Sequence, residues 1–247
     1  MSEKGAACQV CGSRGQPHLN HKGMAISRCP DCGLIFMDPM PDNATLQALY
    51  ADGYGGTTKV YFPKAASKLR RCRRRSRWLA RWATGRRFLD VGCNGGFMAQ
   101  AMHERGFKSH GIDPDPISIT WAREHYPDVC FVKATAETYL PDAGLFDVVY
   151  CSEVIEHAPD ANRFLSAVAA LMAPGGVLFL TTPDTSHWRR PRDITAWDAF
   201  TPPNHCLYFN PSNLTSLLAN HRLHVVRRRL VLKPGIQVLA RKELQSV

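Results

Sequence analysis

The sequence predicts an α/β protein with a largely parallel sheet, preceded by a small cysteine-rich module. Two observations predict this arrangement. Strand and helix patterns alternate from Phe88 onward, which is typical of a parallel sheet. Residues 1–40 instead contain four closely spaced cysteines and few helix signals. A chain of 247 residues, 45% of them hydrophobic, can form one domain of ordinary size with a small appendage.

The chain shows no membrane or secretion signal. No apolar run approaches the roughly 20 residues that cross a bilayer, and the first residues lack the basic start and apolar stretch of a signal peptide. Four of the nine cysteines are closely paired and the others are scattered singly, a pattern that favours a metal site over a disulfide framework. We therefore expect a cytoplasmic protein without a transmembrane segment.

The N-terminal cysteines repeat one pattern, Cys-x-x-Cys-Gly, at residues 8–12 and 29–33. Four thiolates at this spacing favour a tetrahedral zinc site, and the glycines permit turns whose backbone amides point at sulfur. A segment of about 40 residues buries too little apolar surface to fold alone, so we predict a structural zinc. Disulfide pairing or free thiols are the alternatives. The predicted ligands of this zinc-ribbon-like module are Cys8, Cys11, Cys29 and Cys32.

Residues 64–87 carry the net charge of +10, because they hold 11 of the 31 Lys and Arg and none of the 21 Asp and Glu. We predict an amphipathic basic helix here, within a helical linker of residues 41–87. Its outer face is either a solvated surface or a binding surface for an anionic partner such as RNA, a nucleotide-linked substrate or acidic lipid. The apolar stripe consists of Leu69, Cys72, Ser76, Leu79 and Ala83, joined by Trp78 and Trp82.

Seven strands are predicted after this helix. The sequence Lys233-Pro234-Gly235 between the last two favours a tight turn and an antiparallel hairpin at the sheet edge. The predicted strands are residues 87–91, 109–112, 130–133, 146–152, 176–182, 223–232 and 235–241.

The first of these strands runs into a glycine-rich turn, FLDVGCNGGFM at residues 88–98. Glycine between a strand and a helix lets a ligand approach the backbone, where the amides at the helix start are unpaired. The spacing Asp90-x-Gly92-x-Asn94-Gly95-Gly96 does not fit the G-x-G-x-x-G of dinucleotide sites. A second acid, Asp113, ends the next strand, where a carboxylate can accept both hydroxyls of a ribose.

This turn resembles motif I of the class I S-adenosylmethionine (SAM) dependent methyltransferases, an acid followed by G-x-G-x-G, with Asn94 in place of the middle glycine. The departure is mild because asparagine tolerates a left-handed backbone. The resemblance continues in order to residue 184, and residues 152–157 and 171–176 are similar to the branch that includes quinone-biosynthesis methyltransferases. It implies a Rossmann-like seven-stranded sheet whose last strand is antiparallel, within a methyltransferase domain of residues 88–247.

The resemblance also implies how SAM is bound. The glycine turn lies at its methionine end, Asp113 at the ribose, and residues 136–137 beside the adenine, while residues 151–152 border the cofactor after the fourth strand. An ordinary turn with a helix cap at Asp113 is the alternative, which the spacing disfavours. The implied cofactor-binding residues are Asp90, Gly92, Cys93, Asn94, Gly95, Gly96, Asp113, Pro114, Ala136, Glu137, Cys151 and Ser152.

Methyl transfer from a sulfonium is an in-line displacement, in which the protein mainly positions the acceptor atom. A base is needed only where the acceptor loses a proton. Our candidates at the carboxyl end of the sheet are His157, Glu153 and His205, with Asp184. His157 is the first choice because a neutral imidazole accepts protons near neutral pH, although a structural role for it stays open. Glu156 is expected to face solvent.

A loop of about 20 residues, 185–204, contains two tryptophans and three arginines. Loops of this length are often functional, so we expect it to wall an acceptor pocket together with Tyr54, Tyr61 and Phe62. Packing of the tryptophans is the alternative explanation. The arginines that could bind an anionic acceptor are Arg189, Arg190 and Arg192.

The sequence therefore predicts a SAM-dependent methyltransferase that acts on a small molecule, or on a precursor of a glycan or secondary metabolite. Oxygen is the favoured acceptor atom. The order of cysteine module, helix and SAM domain is similar to bacterial methyltransferases of such pathways. Two alternatives stay open. One is an rRNA or tRNA base methyltransferase that binds RNA through the basic helix and the zinc module; the other is a non-catalytic SAM-binding or zinc scaffold protein.

Overall fold

A computed structural model describes residues 5–42, 45, 62–141 and 144–244, which form two β-sheets and their flanking helices. The smaller sheet begins with β1 (Gln16–His21), β2 (Met24–Arg28) and β3 (Ile35–Met37). β1 and β2 form a hairpin in which Lys22 and Gly23 both have positive φ, 51° and 85°. Two left-handed residues match the twist of a two-residue hairpin, so the sequence sets this turn locally.

The predicted basic helix is confirmed as α1 (Ala65–Leu79), followed by a 3₁₀ turn at Ala80–Trp82. Ser76 and Leu79 of the apolar stripe are buried. On the outer face, Arg73 forms two 2.7 Å hydrogen bonds with Glu104. Most of the predicted linker before this helix, including Tyr54 and Tyr61, lies outside the described residues.

The larger sheet has seven strands, in the order β10-β11-β8-β7-β4-β5-β6. β4 pairs in parallel with β5 and β7, whereas β11 is antiparallel to both of its neighbours. The predicted seven-stranded sheet with an antiparallel last strand is therefore confirmed. Its elements, with the intervening short strand β9, are β4 (Arg87–Val91), α2 (Phe97–His103), β5 (Lys108–Asp113), α3 (Pro116–His125), β6 (Cys130–Lys133), β7 (Phe146–Ser152), α4 (Ala161–Leu171), β8 (Met172–Thr182), β9 (Leu207–Tyr208), α5 (Pro211–Asn220), β10 (Leu223–Arg228) and β11 (Ile236–Lys242).

Two strand boundaries differ from prediction by more than one residue. β10 ends at Arg228 instead of residue 232, so the hairpin connection spans residues 229–235 and is longer than the predicted turn. Leu230 and Leu232 are exposed there, which shows that an apolar run extends a strand only where a second layer covers it. β8 starts at Met172, before the predicted residue 176, because Met172 already pairs with Phe146 of β7.

The cysteine-rich segment shares its sheet with the larger domain. β9, which follows β8 in the chain, pairs antiparallel with β3 through Ile35–Tyr208 and Phe36–Leu207. The segment's side chains also belong to the same buried cluster as the residues that cover one face of the larger sheet. The described residues 5–40 therefore do not fold around an isolated core. Among the described helices, no segment has both the length and the apolar character that spanning a bilayer requires.

Candidate functional site

The glycine-rich turn connects β4 to α2 at the carboxyl edge of the sheet. Asn94 has φ 47°, which confirms the left-handed backbone predicted for the residue in place of a glycine. Gly92 has φ 70°, and a Cβ added there would lie 2.5 Å from Val154 Cγ2. The turn therefore requires glycine at this position for both its backbone angle and its close approach to the segment after β7.

Two carboxylates flank this turn at the ends of adjacent parallel strands. Asp113 accepts the backbone N–H of Asn94 at 2.8 Å and that of Asp115 at 2.9 Å, so it holds the turn against the end of β5. Burial raises the pKa of Asp113 to about 6. Asp90 is 3% exposed, and burial raises its pKa well above the ordinary range.

A cavity of about 650 Å³, which we name the first cavity, opens beyond the carboxyl ends of β4, β5 and β6. Four of the predicted cofactor-binding residues line it: Gly92, Pro114, Ala136 and Glu137. Asp90, Cys93 and Cys151 are buried and do not line it, and the predicted residues Asn94, Gly95, Gly96 and Asp113 do not line it either. Its opposite wall was not predicted, because residues 158–164 form a loop and a helix start with no recognisable motif. This wall includes Ala158, Pro159, Asp160, Arg163 and Phe164.

Two of the predicted catalytic residues, His157 and His205, lie together with ring centroids 4.6 Å apart. The Nδ1 of His157 lies 2.7 Å from the carbonyl of Asn204, and the Nδ1 of His205 lies 2.7 Å from that of Ala199. A carbonyl can only accept, so each Nδ1 carries the proton and each Nε2 is left as a proton acceptor.

Both imidazoles are held in their neutral form. Burial lowers the pKa of His157, and burial together with the nearby His157 lowers the pKa of His205 to about 4. His157 also lines the first cavity. The pair therefore offers unprotonated nitrogens at neutral pH next to the predicted cofactor site.

Glu156 was expected to face solvent, and this prediction is wrong. Its side chain is 0% exposed and accepts the Thr182 hydroxyl at 2.9 Å through Oε2, while Oε1 has no hydrogen-bond partner among the described residues. Burial, followed by the nearby Glu153, raises the pKa of Glu156 well above the ordinary range. The cause is tertiary, since Cys206, next to β9, donates its N–H to the Glu156 carbonyl at 2.9 Å and covers the segment.

Ligand atoms of Glu156, His157 and His205 lie within 4.8 Å of one another, a donor set that could also hold a divalent cation.

Glu153, the third predicted catalytic residue, directly follows β7 and has φ 58°. Left-handed backbone in a residue with a long side chain costs on the order of 1 kcal/mol, and such strain is found often at functional sites. The Glu153 carboxylate accepts the Thr181 hydroxyl at 2.7 Å. Its neighbour Val154 lines the first cavity, whereas Glu153 lines another, so this strained residue stands between two cavities.

This second cavity, of about 430 Å³, lies between α1 and the carboxyl ends of β7 and β8. Ser152, predicted to border the cofactor, lines this cavity and not the first. Sequence reasoning missed the cavity because residues of α1 and of the β10–β11 connection meet there only in the fold. The charged and polar side chains that line it include Arg71, Arg75, Tyr150, Ser152, Glu153 and Lys233.

The loop of residues 185–204 is placed differently from our expectation. None of its three arginines lines either cavity. Arg190 donates to the backbone carbonyls of Thr185 and Pro191 at 2.7 Å each, so its charge serves to hold the loop itself. Trp197 is buried and Trp188 is 79% exposed. Phe62, also predicted to wall the acceptor pocket, stacks on Trp121 of α3 at 4.6 Å.

The four N-terminal cysteines converge. Their sulfurs lie within 4.8 Å of one another. Gly12 and Gly33, which follow the two pairs, have φ 78° and 73°, and the Val10 N–H points at the Cys8 sulfur at 3.4 Å. Glycine turns that direct amides at thiolates, around four convergent sulfurs, fit a tetrahedral metal site with no open position.

The first cysteine turn contacts the wall of the first cavity. Gln9, between Cys8 and Cys11, donates its side-chain amide to the Pro159 carbonyl and accepts the Ala161 N–H, both at 2.7 Å. The Asn162 side chain in turn donates to the Gln9 carbonyl at 2.8 Å. One glutamine therefore joins the cysteine module to the segment that closes the first cavity and begins α4.

Comparison with known proteins agrees with this geometry. A family model described as a methyltransferase domain matches residues 64–227. The chain is 42% identical over 103 residues to a ubiquinone biosynthesis O-methyltransferase of Caulobacter vibrioides and 40% identical over 107 residues to one of Bordetella avium. Each similarity covers 40% of this chain, and 41% and 43% of those proteins respectively, so the match spans less than half of their length.

Solved structures show the same fold. A 1,6-didemethyltoxoflavin N1-methyltransferase of Burkholderia thailandensis, with bound substrate and S-adenosylhomocysteine, aligns with a TM-score of 0.61 at 20% identity over 92% of this chain and 99% of that chain. A magnesium protoporphyrin IX methyltransferase of Synechocystis PCC 6803 with bound SAM aligns with a TM-score of 0.53 at 16% identity, over 71% of this chain and 79% of that chain.

Proposed function

This chain belongs to the methyltransferase-domain family, and we propose that it is a class I SAM-dependent methyltransferase that transfers a methyl group to an oxygen of a small-molecule acceptor. The observation that carries the proposal is the first cavity. Gly92 of the glycine turn and the neutral imidazole of His157 line it. Asp113 lies behind the turn, where it accepts the Asn94 N–H, and His205 packs against His157. The names of the ubiquinone-pathway relatives support oxygen as the acceptor atom.

The first cavity has the parts needed to hold the cofactor. Gly92, where the turn lines the cavity without a side chain, suits its methionine end, and Ala136 with Glu137 suits the adenine. The Asp113 carboxylate, at the end of the adjacent strand, suits the ribose hydroxyls. Bound SAM would supply an electrophilic methyl group. The protein's own task is then to hold the acceptor oxygen in line with that methyl group and to exclude water, which is worth up to about 7 to 11 kcal/mol in well-oriented reactions.

A hydroxyl acceptor loses a proton during the transfer, and His157 is placed to receive it. Its Nε2 is unprotonated, its Nδ1 is fixed on the Asn204 carbonyl, and its ring borders the first cavity. His205 packs edge-on against it and disfavours a second charge. We assign His157 the role of base, His205 the role of supporting imidazole, and Glu153 that of a carboxylate facing the acceptor side.

We further propose that the four cysteines bind one structural zinc ion. The donor set supports this assignment, since four sulfurs complete a tetrahedral shell and leave no position for a substrate. The site then stabilises the first cysteine turn, from which Gln9 reaches the first cavity.

Methylation of an RNA base is the second candidate, and the charge of α1 favours it. Arg70, Arg71, Arg74 and Arg77 are exposed on this helix and could bind phosphates. The RNA function would give affinity that falls about tenfold or more between 50 and 200 mM salt, whereas a small-molecule site is far less sensitive.

The decisive experiment has two steps. Calorimetric titration of the purified protein with S-adenosylhomocysteine tests the cofactor site. Incubation with labelled SAM and either a fractionated metabolite extract or total RNA then tests the acceptor. We expect binding, and label transfer into the metabolite fraction. Label in RNA alone would support the second candidate, and an absence of binding would contradict both.

A further inference from the structure

The second cavity carries a surplus of positive charge. Arg71, Arg75 and Lys233 line it, against one carboxylate, that of Glu153. Within the part of the chain that the structure describes, none of these three cations forms an ion pair. Arg75 donates to the Tyr150 hydroxyl and to no other described group. The protein thus collects cations in a concave site without neutralising them, which raises the local concentration of anions.

Arg75 is held in a fixed position. Its guanidinium lies over the rings of Tyr150 and Phe179, at 5.7 and 5.4 Å from their centroids, and these two rings stack on each other at 5.5 Å. A guanidinium braced in this way presents a planar set of donors that suits the two oxygens of a carboxylate or phosphate. Arg71 is one helical turn away on α1, and Lys233 comes from the β10–β11 connection.

The second cavity adjoins the end of the first cavity where the methyl group would lie. Glu153 and Val154 are consecutive residues that line different cavities. Cys72 lines the second cavity, and burial, followed by the nearby Asp90 carboxylate, raises the pKa of Cys72 to about 11. Asp90 precedes the glycine turn, so the methionine end of the cofactor site and the second cavity are neighbours.

We propose that the second cavity is the anion subsite of the acceptor: the carboxylate or phosphate group of an acidic acceptor is bound there by Arg71, Arg75 and Lys233, while its reacting oxygen extends past Glu153 and Val154 to the first cavity, which His157 lines. This inference rests on the proposed function, because it assigns the first cavity to the cofactor. The carboxylate of the cofactor's methionine end could neutralise one of the cations. Arg71, Arg75 and Lys233 would then face two carboxylates, that of Glu153 and that of the cofactor. One positive charge is left for the acceptor.

The inference can be tested without knowing the acceptor. Cys72 lines the second cavity, so the rates at which charged reagents modify its thiol report the electrostatic potential there. Protein saturated with S-adenosylhomocysteine is treated with an anionic reagent, sulfonatoethyl methanethiosulfonate, or a cationic one, trimethylammonioethyl methanethiosulfonate. Peptide mass spectrometry follows modification of Cys72, with exposed Cys130 as the internal reference. We expect the anionic-to-cationic rate ratio at Cys72 to exceed that at Cys130 by about tenfold.

Matched variants identify the source of the potential. Arg71→Gln and Lys233→Gln should each lower the ratio at Cys72 by about threefold or more. Arg74→Gln is the control, because Arg74 is exposed on the same helix and does not line the cavity. Protection of Cys72 by benzoate, by phenylphosphonate and by neutral benzamide then distinguishes a carboxylate from a phosphate ligand.

Several results would overturn the inference. The first is an anionic-to-cationic rate ratio that is the same at Cys72 and Cys130, and the second is a ratio at Cys72 that neither Arg71→Gln nor Lys233→Gln changes. The third is equal protection of Cys72 by benzamide and by the two anions. The fourth is a charge preference at Cys72 that disappears when S-adenosylhomocysteine is bound. The last result would mean that the three cations bind the carboxylate of the cofactor and not the acceptor. Failure of S-adenosylhomocysteine to bind is measured beforehand by calorimetry, and it would contradict the proposed function instead.

Discussion

At the scale of single residues, the site depends on groups whose protonation is controlled by burial. Asp113 fixes the glycine turn through Asn94, and in the proposed site it also accepts the ribose hydroxyls. His157 is fixed by one nitrogen and open at the other. Both arrangements lead to measurable consequences.

Substituting Asp113 should weaken cofactor binding. Asp113→Asn removes a charge that accepts hydrogen bonds, so we expect affinity for S-adenosylhomocysteine to fall by about 1 to 3 kcal/mol in calorimetry. Glu124→Gln on exposed α3 serves as the matched control. Wild-type affinity in Asp113→Asn would mean that the ribose lies elsewhere.

Cofactor affinity should also depend on pH. Burial raises the pKa of Asp113 to about 6, and ribose hydroxyls donate to its ionised form. Protonation therefore competes with the ligand, so the affinity should be constant above about pH 7 and decline as pH falls through 6. Titrations at several pH values check this, and the decline should be absent in Asp113→Asn.

The pH profile of catalysis tests the role of His157. A base must be unprotonated, and burial lowers the pKa of this imidazole. The kcat/KM should therefore stay constant as pH falls through 6.5, the ordinary histidine pKa, and decrease only below it. His157→Asn, which can keep the bond to the Asn204 carbonyl, should reduce kcat about 100-fold or more with little change in cofactor Kd. An equal loss in kcat and in cofactor affinity would indicate a structural role for His157.

At the scale of elements, the cysteine module and the first cavity meet through Gln9. Its two 2.7 Å hydrogen bonds join the first cysteine turn to the segment before α4. Gln9→Ala leaves the Ala161 N–H and the Pro159 carbonyl without these partners. We expect it to lower the free energy of unfolding by about 1 to 3 kcal/mol and to weaken S-adenosylhomocysteine binding. Gln16→Ala, at the exposed start of β1, should change neither quantity.

The cysteine turns themselves should depend on metal. Purified protein should contain about one zinc per chain, and removal by a chelator should lower the Tm, because binding of a structural zinc is coupled to folding. Cys11→Ser should lose most of the zinc. Cys130→Ser, at an exposed cysteine outside the cluster, should retain it. Stoichiometry near zero in protein with reduced thiols would contradict the zinc assignment.

At the scale of the whole molecule, charge is divided between two surfaces. The exposed arginines of α1 face solvent, while Arg71 and Arg75 of the same helix also line the second cavity. This helix thus holds seven of the 31 Lys and Arg, with no Asp or Glu, and contributes to a concave site. The salt dependence of RNA binding and the charge selectivity at Cys72 measure these two surfaces separately.

The sequence alone determined features that depend on neighbouring residues. Glycine spacing after β4 specified the turn, the alternation of strands and helices specified the sheet, and the Cys-x-x-Cys-Gly pairs specified the cysteine cluster. Tertiary structure decided the rest. Glu156 is buried by residues 50 positions away, and β9 completes the sheet of the cysteine module. Arg71 and Lys233, 162 positions apart, line the same cavity. Local propensity and periodicity carry no information about such contacts, which arise only when distant elements pack together.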